Sequence, residues 1–397
     1  MSATPSRFFS FICIFFLFFC FRSFSQSNIK SFSADSVKFA EEMENFLAAT
    51  DKKDAEKFFK EQFLPVWSGV KVSKEQTIPG KFTSAQQDDI YKTCNTMLKK
   101  RMKAYPDFKN YLTTLVSFAN STQSAESFAA WSSSIDKLLS STNKHFDNYI
   151  TICNDLFREN ALYLSPSTHW HASNNNYSFD FDSLPKVIFP SLNLTCNAKG
   201  DSTVVYDTKG VYYPTRNRFY GNGGKVNWKR AGWDENVVNA TLSNYSVDVS
   251  GVEFSADSAL LYNDNYFKEK LIGKYSDKLL ANVTHENAIY PRFESYNTSF
   301  EIKNIVKDVD YAGGFSMKGS KMIGSGNADA DAKVIFHLNG KTFLVAASKG
   351  FVVRPDRITS DNAAVTMYWE KDSIFHPGLE FKSVSYTHLT LPTNREV

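Results

Sequence analysis

At Pro166 the hydrophobic pattern of this chain changes period, and that change limits the possible folds more than any single motif does. From about Asp35 to Leu164 the apolar residues recur at helical spacing. Phe39, Met43, Phe46 and Leu47 share one face, and Ile90, Cys94, Met97, Leu98 and Met102 share another. Thr83, followed three residues later by Gln86, predicts a capping box in which each side chain satisfies a backbone donor left free at a helix start. Pro106 predicts the stop. Further helices are expected around 108–119, 125–139, with Trp131 and Ile135 on one side, and 146–162. Each apolar stripe is wide enough for a core face and too interrupted for a coiled coil. The helices are therefore expected to pack as a small antiparallel bundle over residues 30–165.

After Pro166, β-branched and aromatic runs bounded by Gly, Asn and Asp take over. They are Thr203–Tyr206, Lys225–Trp228, Tyr245–Val249, Ala259–Tyr262, Lys333–Leu338, Thr342–Ala346 and Ala364–Trp369. No segment between them is long enough for a crossover helix. Residues 166–383 are thus expected to form an all-β antiparallel or solenoid-like region, and a doubly wound parallel sheet is disfavoured. The fold class expected is α+β. Asp201-Ser202, Asp257-Ser258 and Asp372-Ser373 each precede an apolar run, and an Asp-Ser pair can close a turn through its side-chain acceptors. The recurrence predicts a β region of stacked, similar units.

The two ends of the chain carry different signals. Arg7, an apolar run from Phe8 to Phe21 broken by Ser10, and the small-residue site Ser23-Phe24-Ser25 have the layout of an export signal over residues 1–25. The run is shorter than the roughly 20 residues that cross a bilayer, so no transmembrane helix is expected after cleavage. The Phe-heavy run and its Ser-Phe-Ser-Gln end resemble signal peptides of Bacteroidota, which implies a periplasmic, outer-membrane-associated or extracellular protein. At a looser level, the Gly-rich turns and short strands of 166–383 are similar to large exported β-rich envelope proteins of that group. From Val384 the chain reads Val-Ser-Tyr-Thr-His-Leu-Thr-Leu-Pro-Thr. This resembles the translation of a transposase-type sequencing adapter, and it implies that native sequence stops near Ser383 in a truncated reading frame and that 384–397 are a non-native tail.

Formal charge is +3, of which Arg7 and Arg22 supply two, so the mature chain lacks the electrostatic footprint of a nucleic-acid binder. Cys94, Cys153 and Cys196 remain after cleavage without zinc-site spacing; Cys94 and Cys153 either pair or, as favoured here, stay buried thiols. His169-Trp170-His171 would place both imidazoles on one face of an extended segment, a pattern able to hold a metal, with no third ligand evident. Gly221–Lys225 is similar to a phosphate loop but lacks the hydroxyl and the helix that should follow, so a hairpin turn is expected. Arg230, Trp228 and Trp233 lie in a stretch where basic and aromatic residues interleave, and they are the candidate ligand-binding residues. Asp180, Asp182, Glu253 and Asp257 lack the spacing of an acid/base pair, and no nucleophile elbow or His-Glu-x-x-His helix occurs. No catalytic residue and no cofactor are nominated. The function expected is an exported, non-catalytic envelope or cell-surface scaffold or binding protein, with envelope proteins, lipid or glycan as partners. The alternative is an exported glycan-binding protein or glycan hydrolase using Trp228, Trp233 and Trp369 as sugar platforms.

Overall fold

A computed structural model describes residues 29–72, 76–142, 144–354 and 357–384. The expected export signal and the residues after Val384 lie outside the described residues. The chain is α+β, with its helices in the N-terminal part and an antiparallel β-region after them. Two compact units emerge: residues up to 119 together with 139–147, and residues 120–138 together with 148 onward. The change of texture at Pro166 is therefore a change of sequence pattern and not a boundary between the units.

In the first unit, helix α1 (Ser36–Ala48) starts where the Asp35 carboxylate accepts from the backbone N–H groups of Val37 and Lys38. It buries Phe39, Met43, Phe46 and Leu47, the face read from the periodicity. Helix α2 (Lys52–Phe58) runs through a π-turn at Phe59–Phe63 into α3 (Leu64–Trp67), whose Trp67 indole donates to the Ser36 carbonyl at 2.8 Å. Helix α4 (Ser84–Lys99) carries the complete Thr83–Gln86 capping box. Helix α5 spans Lys109–Asn120.

Helices α6 (Ala125–Ser141) and α7 (Phe146–Glu159) supply the second unit with the Trp131–Phe157 edge contact, and Phe157 packs in turn on Phe179 of the sheet. Helix α7 ends three residues before the expected Leu162. Asn160 adopts a left-handed φ of 52°, and Ala161–Leu164 then run as a strand. Asn tolerates that conformation better than β-branched or bulky residues, so the helix stops there.

The sheet is a meander. Successive passes of chain, Thr168–Phe181, Pro185–Ala198, Asp201–Tyr213, Arg218–Asn227, Val238–Asp248, Glu253–Asn263 and onward to Asp372–Val384, pair antiparallel with the pass before and the pass after. Most passes break once near the middle: at the bulge between Phe189 and Leu192, at Asp207, at Gly223-Gly224, at Leu242-Ser243, at Asp257-Ser258 and at Asp361-Asn362. The breaks line up across the strands and are joined by polar contacts. Asn193 Oδ1 accepts from Asp207 N at 2.9 Å, Thr208 Oγ1 donates to the Gly223 carbonyl at 2.9 Å, and Gly223 N donates to the Ser243 carbonyl at 2.8 Å. Further along, Ser348 Oγ reaches the Asn362 carbonyl at 2.8 Å.

Along this crease the sheet folds onto itself, so that the two halves of each pass lie in facing arms. Trp170 of one arm donates to the Gly251 carbonyl at the end of the other at 2.8 Å, and its ring meets Phe254 at 6.4 Å. Tyr212 closes the same gap by donating to Leu162 O at 2.5 Å. Between the arms runs a chain of rings, Phe189, Phe219, Tyr245, Phe254, Tyr275 and Trp228, with centroids 5.6–6.3 Å apart. The pairings form closed circuits around the crease; among the described residues, no register joins the last pass to the first. Among the described residues, the outer edge of Asp372–Val384 has no partner strand.

Two expectations change here. Gly221–Lys225 is no hairpin turn: Arg218–Asn222 and Lys225–Asn227 continue one pass through the crease and do not pair with each other. The Asp-Ser pairs also do not share one structural position. Asp201 and Asp372 open strands after two-residue turns, whereas Asp257-Ser258 sits in a mid-strand bulge with Ser258 at a φ of 57°.

Candidate functional site

Of the residues singled out from the sequence, Trp228 and Arg230 are held inward. Trp228 has no exposed surface; its indole donates to the Pro291 carbonyl at 3.0 Å, and its ring abuts Tyr275. No face is left for a sugar. Alternation carried a signal for this, because Val226 is buried and Trp228, two residues on, follows it to the inner side. Trp233 is half-buried and donates to the Gly319 carbonyl at 3.2 Å.

Arg230, on a single 3₁₀ turn (Lys229–Ala231), is engaged by two carboxylates. It pairs with Asp201 at 2.7 Å and, in close contact, with Asp277, whose side chain is fully buried. Thr203 Oγ1 donates to the other Asp277 oxygen at 2.6 Å, and the Lys278 N–H completes the set at 2.8 Å. Burial works to lower the Arg230 pKa, but the charges of Asp277 and Asp201 outweigh it and hold the group above its ordinary value. This guanidinium is an internal tie, not a waiting anion receptor. Sequence reasoning missed Asp277, although its place two residues after the inward-facing Tyr275 puts a carboxylate on the buried face.

His169 and His171 do fall together. Strand Thr168–Ala172 turns Trp170 inward and both imidazoles to the opposite face, with ring centroids 4.8 Å apart. The His169 Nε2 and His171 Nδ1 atoms are inaccessible to solvent and have no hydrogen-bond partner. Burial, with the nearby His169 second, keeps His171 below the usual imidazole range. An open groove of about 720 Å³, lined by Ser165–His169 and Asn197–Ser202, begins beside the pair. Among the described residues, no group of three or more His, Cys, Asp or Glu side chains is placed to hold a metal. Cys94, Cys153 and Cys196 are buried free thiols, each with its pKa raised by burial.

The most exposed apolar surface belongs to the last hairpin, Arg357–Trp369 with Asp372–Val384. Trp369 is 66 % exposed, Ile374 72 % and Phe375 64 %, with Met367 and Tyr368 also open. The register puts Met367 opposite Ile374 on one face and Thr366 opposite Phe375 on the other, so apolar side chains project from both faces. Leu338, at the end of the strand Ala332–Leu338, is exposed as well. Sequence reading singled out Trp369 alone of this group. Ile374 and Phe375 are adjacent, and no alternation marked either of them as outward.

In comparisons with known proteins, no family model, no curated protein and no solved structure matches this chain. Among the described residues, no helix is long and apolar enough to cross a membrane.

Proposed function

We propose that this is an exported, non-catalytic scaffold or binding protein of the cell envelope or cell surface, with the N-terminal helices as a docking bundle and the creased passes as a solenoid-like support. The observation that carries the reading is the last hairpin, where Trp369, Tyr368, Ile374 and Phe375 stand uncovered on its two faces among the described residues. An isolated apolar side chain at the surface is ordinary, but a contiguous apolar row marks an interaction site. A flat protein surface would cover one face of such a ribbon. An extended segment presents side chains alternately to both sides, so the occupant proposed is an extended segment of an envelope protein lying along this hairpin. Capture with the full-length protein from envelope fractions is expected to recover a stable partner, and Ile374→Lys with Phe375→Lys is expected to release it while leaving the thermal midpoint within a few degrees. Recovery of a soluble monomer without a partner in every fraction would count against this reading.

A glycan-binding role retains one exposed aromatic platform of the three considered, Trp369. Binding on a glycan array that disappears with Trp369→Ala would favour it.

A further inference from the structure

We propose that His169 and His171 form a binding site for a borderline divalent transition metal such as zinc, nickel or copper, with two imidazole ligands and its remaining positions filled by water. Three features meet at this pair, and the first is alignment. Residues two apart on a strand point the same way, and here the strand Thr168–Ala172 is locked by pairing on both sides, to Ala161–Leu164 and to Leu194–Ala198. The two rings are therefore held and need little ordering on binding.

The second feature is spacing. Metal–nitrogen bonds to imidazole are about 2.0–2.1 Å long, and two of them at a tetrahedral angle place the ring centroids about 5 Å apart. The observed separation is 4.8 Å.

The third is the unmet bonding of His169 Nε2 and His171 Nδ1. A buried polar nitrogen without a partner is costly, and an ion shared between two such atoms removes that cost at both. Nitrogen donors of this kind suit zinc, nickel and copper and disfavour calcium and magnesium, which take oxygen ligands. The groove beside His169 gives the ion's open positions access to water. In register opposite the two histidines stand the uncharged Asn197 and Thr195.

The test uses the tag-free full chain and the metal alone. Calorimetric titration with zinc and with nickel near neutral pH is expected to show one ion per chain, with His169→Asn and His171→Asn each weakening it tenfold or more. Nitrogen NMR of the wild-type imidazoles during the same titration needs no variant, and is expected to shift the signals of these two rings selectively. The proposal is overturned if the wild-type chain binds no ion up to about 0.1 mM, about 5 kcal/mol of affinity. It is also overturned if the double variant binds as tightly as wild type, or if the ring signals of other histidines move instead. A water or a shared proton then satisfies the pair.

Discussion

Asp310 shows how single residues hold the later passes together. The residue is 8 % exposed, and its carboxylate accepts from Asn304 N at 2.9 Å, from Lys303 Nζ at 2.9 Å and from His337 at 3.0 Å. Burial pushes the pKa of this group up, but these donors overcome it and bring it down to about 2. A carboxylate with a depressed folded-state pKa adds stability above its unfolded value, near 3.9, and that stability is lost as pH falls towards 2. Urea midpoints taken at pH 5 and at pH 2.5 should therefore fall further for wild type than for Asp310→Asn. Equal losses in the two proteins would show that Asp310 contributes nothing to acid sensitivity.

At the scale of the element, the crease sets the demands on sequence. Gly224 has a φ of +116°, and a β-carbon there would come within 2.8 Å of Val205 Cγ1 and 3.0 Å of Thr208 Cβ. Gly200, at the neighbouring two-residue turn, has a φ of +77° with nothing within 4 Å. Both substitutions to Ala strain the backbone, and only the first also collides. Gly224→Ala is expected to lower unfolding stability by about 2–4 kcal/mol and Gly200→Ala by about 1 kcal/mol, measured by chemical denaturation.

The same crease explains how far the strands were legible. Runs such as Ala259–Tyr262 and Thr342–Ala346 fall within observed strands, and Lys225–Trp228 overruns its strand by one residue, because β-branched and aromatic residues mark a pleated surface wherever it lies. What local composition could not separate is a turn from a kink. Gly223-Gly224 and Asp257-Ser258 have the chemistry of reversals, yet the chain runs on through both. The outcome depends on which distant pass each half meets, and no short window contains that. The histidine pair was legible because it needs only period two, whereas the Arg230 tie joins residues up to 47 positions apart.

Across the second unit, the facing arms are joined by a few polar ties set among aromatic rings. Arg230 and Asp201 belong to one arm and Asp277 to the other, so their contact spans the gap that the ring chain fills. Removing the cation would leave the Asp277 charge buried with the Thr203 hydroxyl and the Lys278 N–H as donors but no counter-charge across the gap. Arg230→Met is expected to lower stability by about 3 kcal/mol, since an uncompensated internal charge costs more than the pair contributes. The Arg230→Met/Asp277→Leu double variant should recover much of that loss. Denaturation followed by tryptophan fluorescence would measure both, because Trp228 stands in the same gap.

Because every pass bonds to the one synthesised just before it, the strand pairing requires no segment still to come. Left-handed residues recur at Asp308, Asn339 and Glu370, spaced 31 residues apart, each at a reversal on the same end of the sheet. A polypeptide built this way can assemble in the direction in which it emerges from a ribosome or a translocation pore, two strands at a time, with a growing front that always offers the next segment a template.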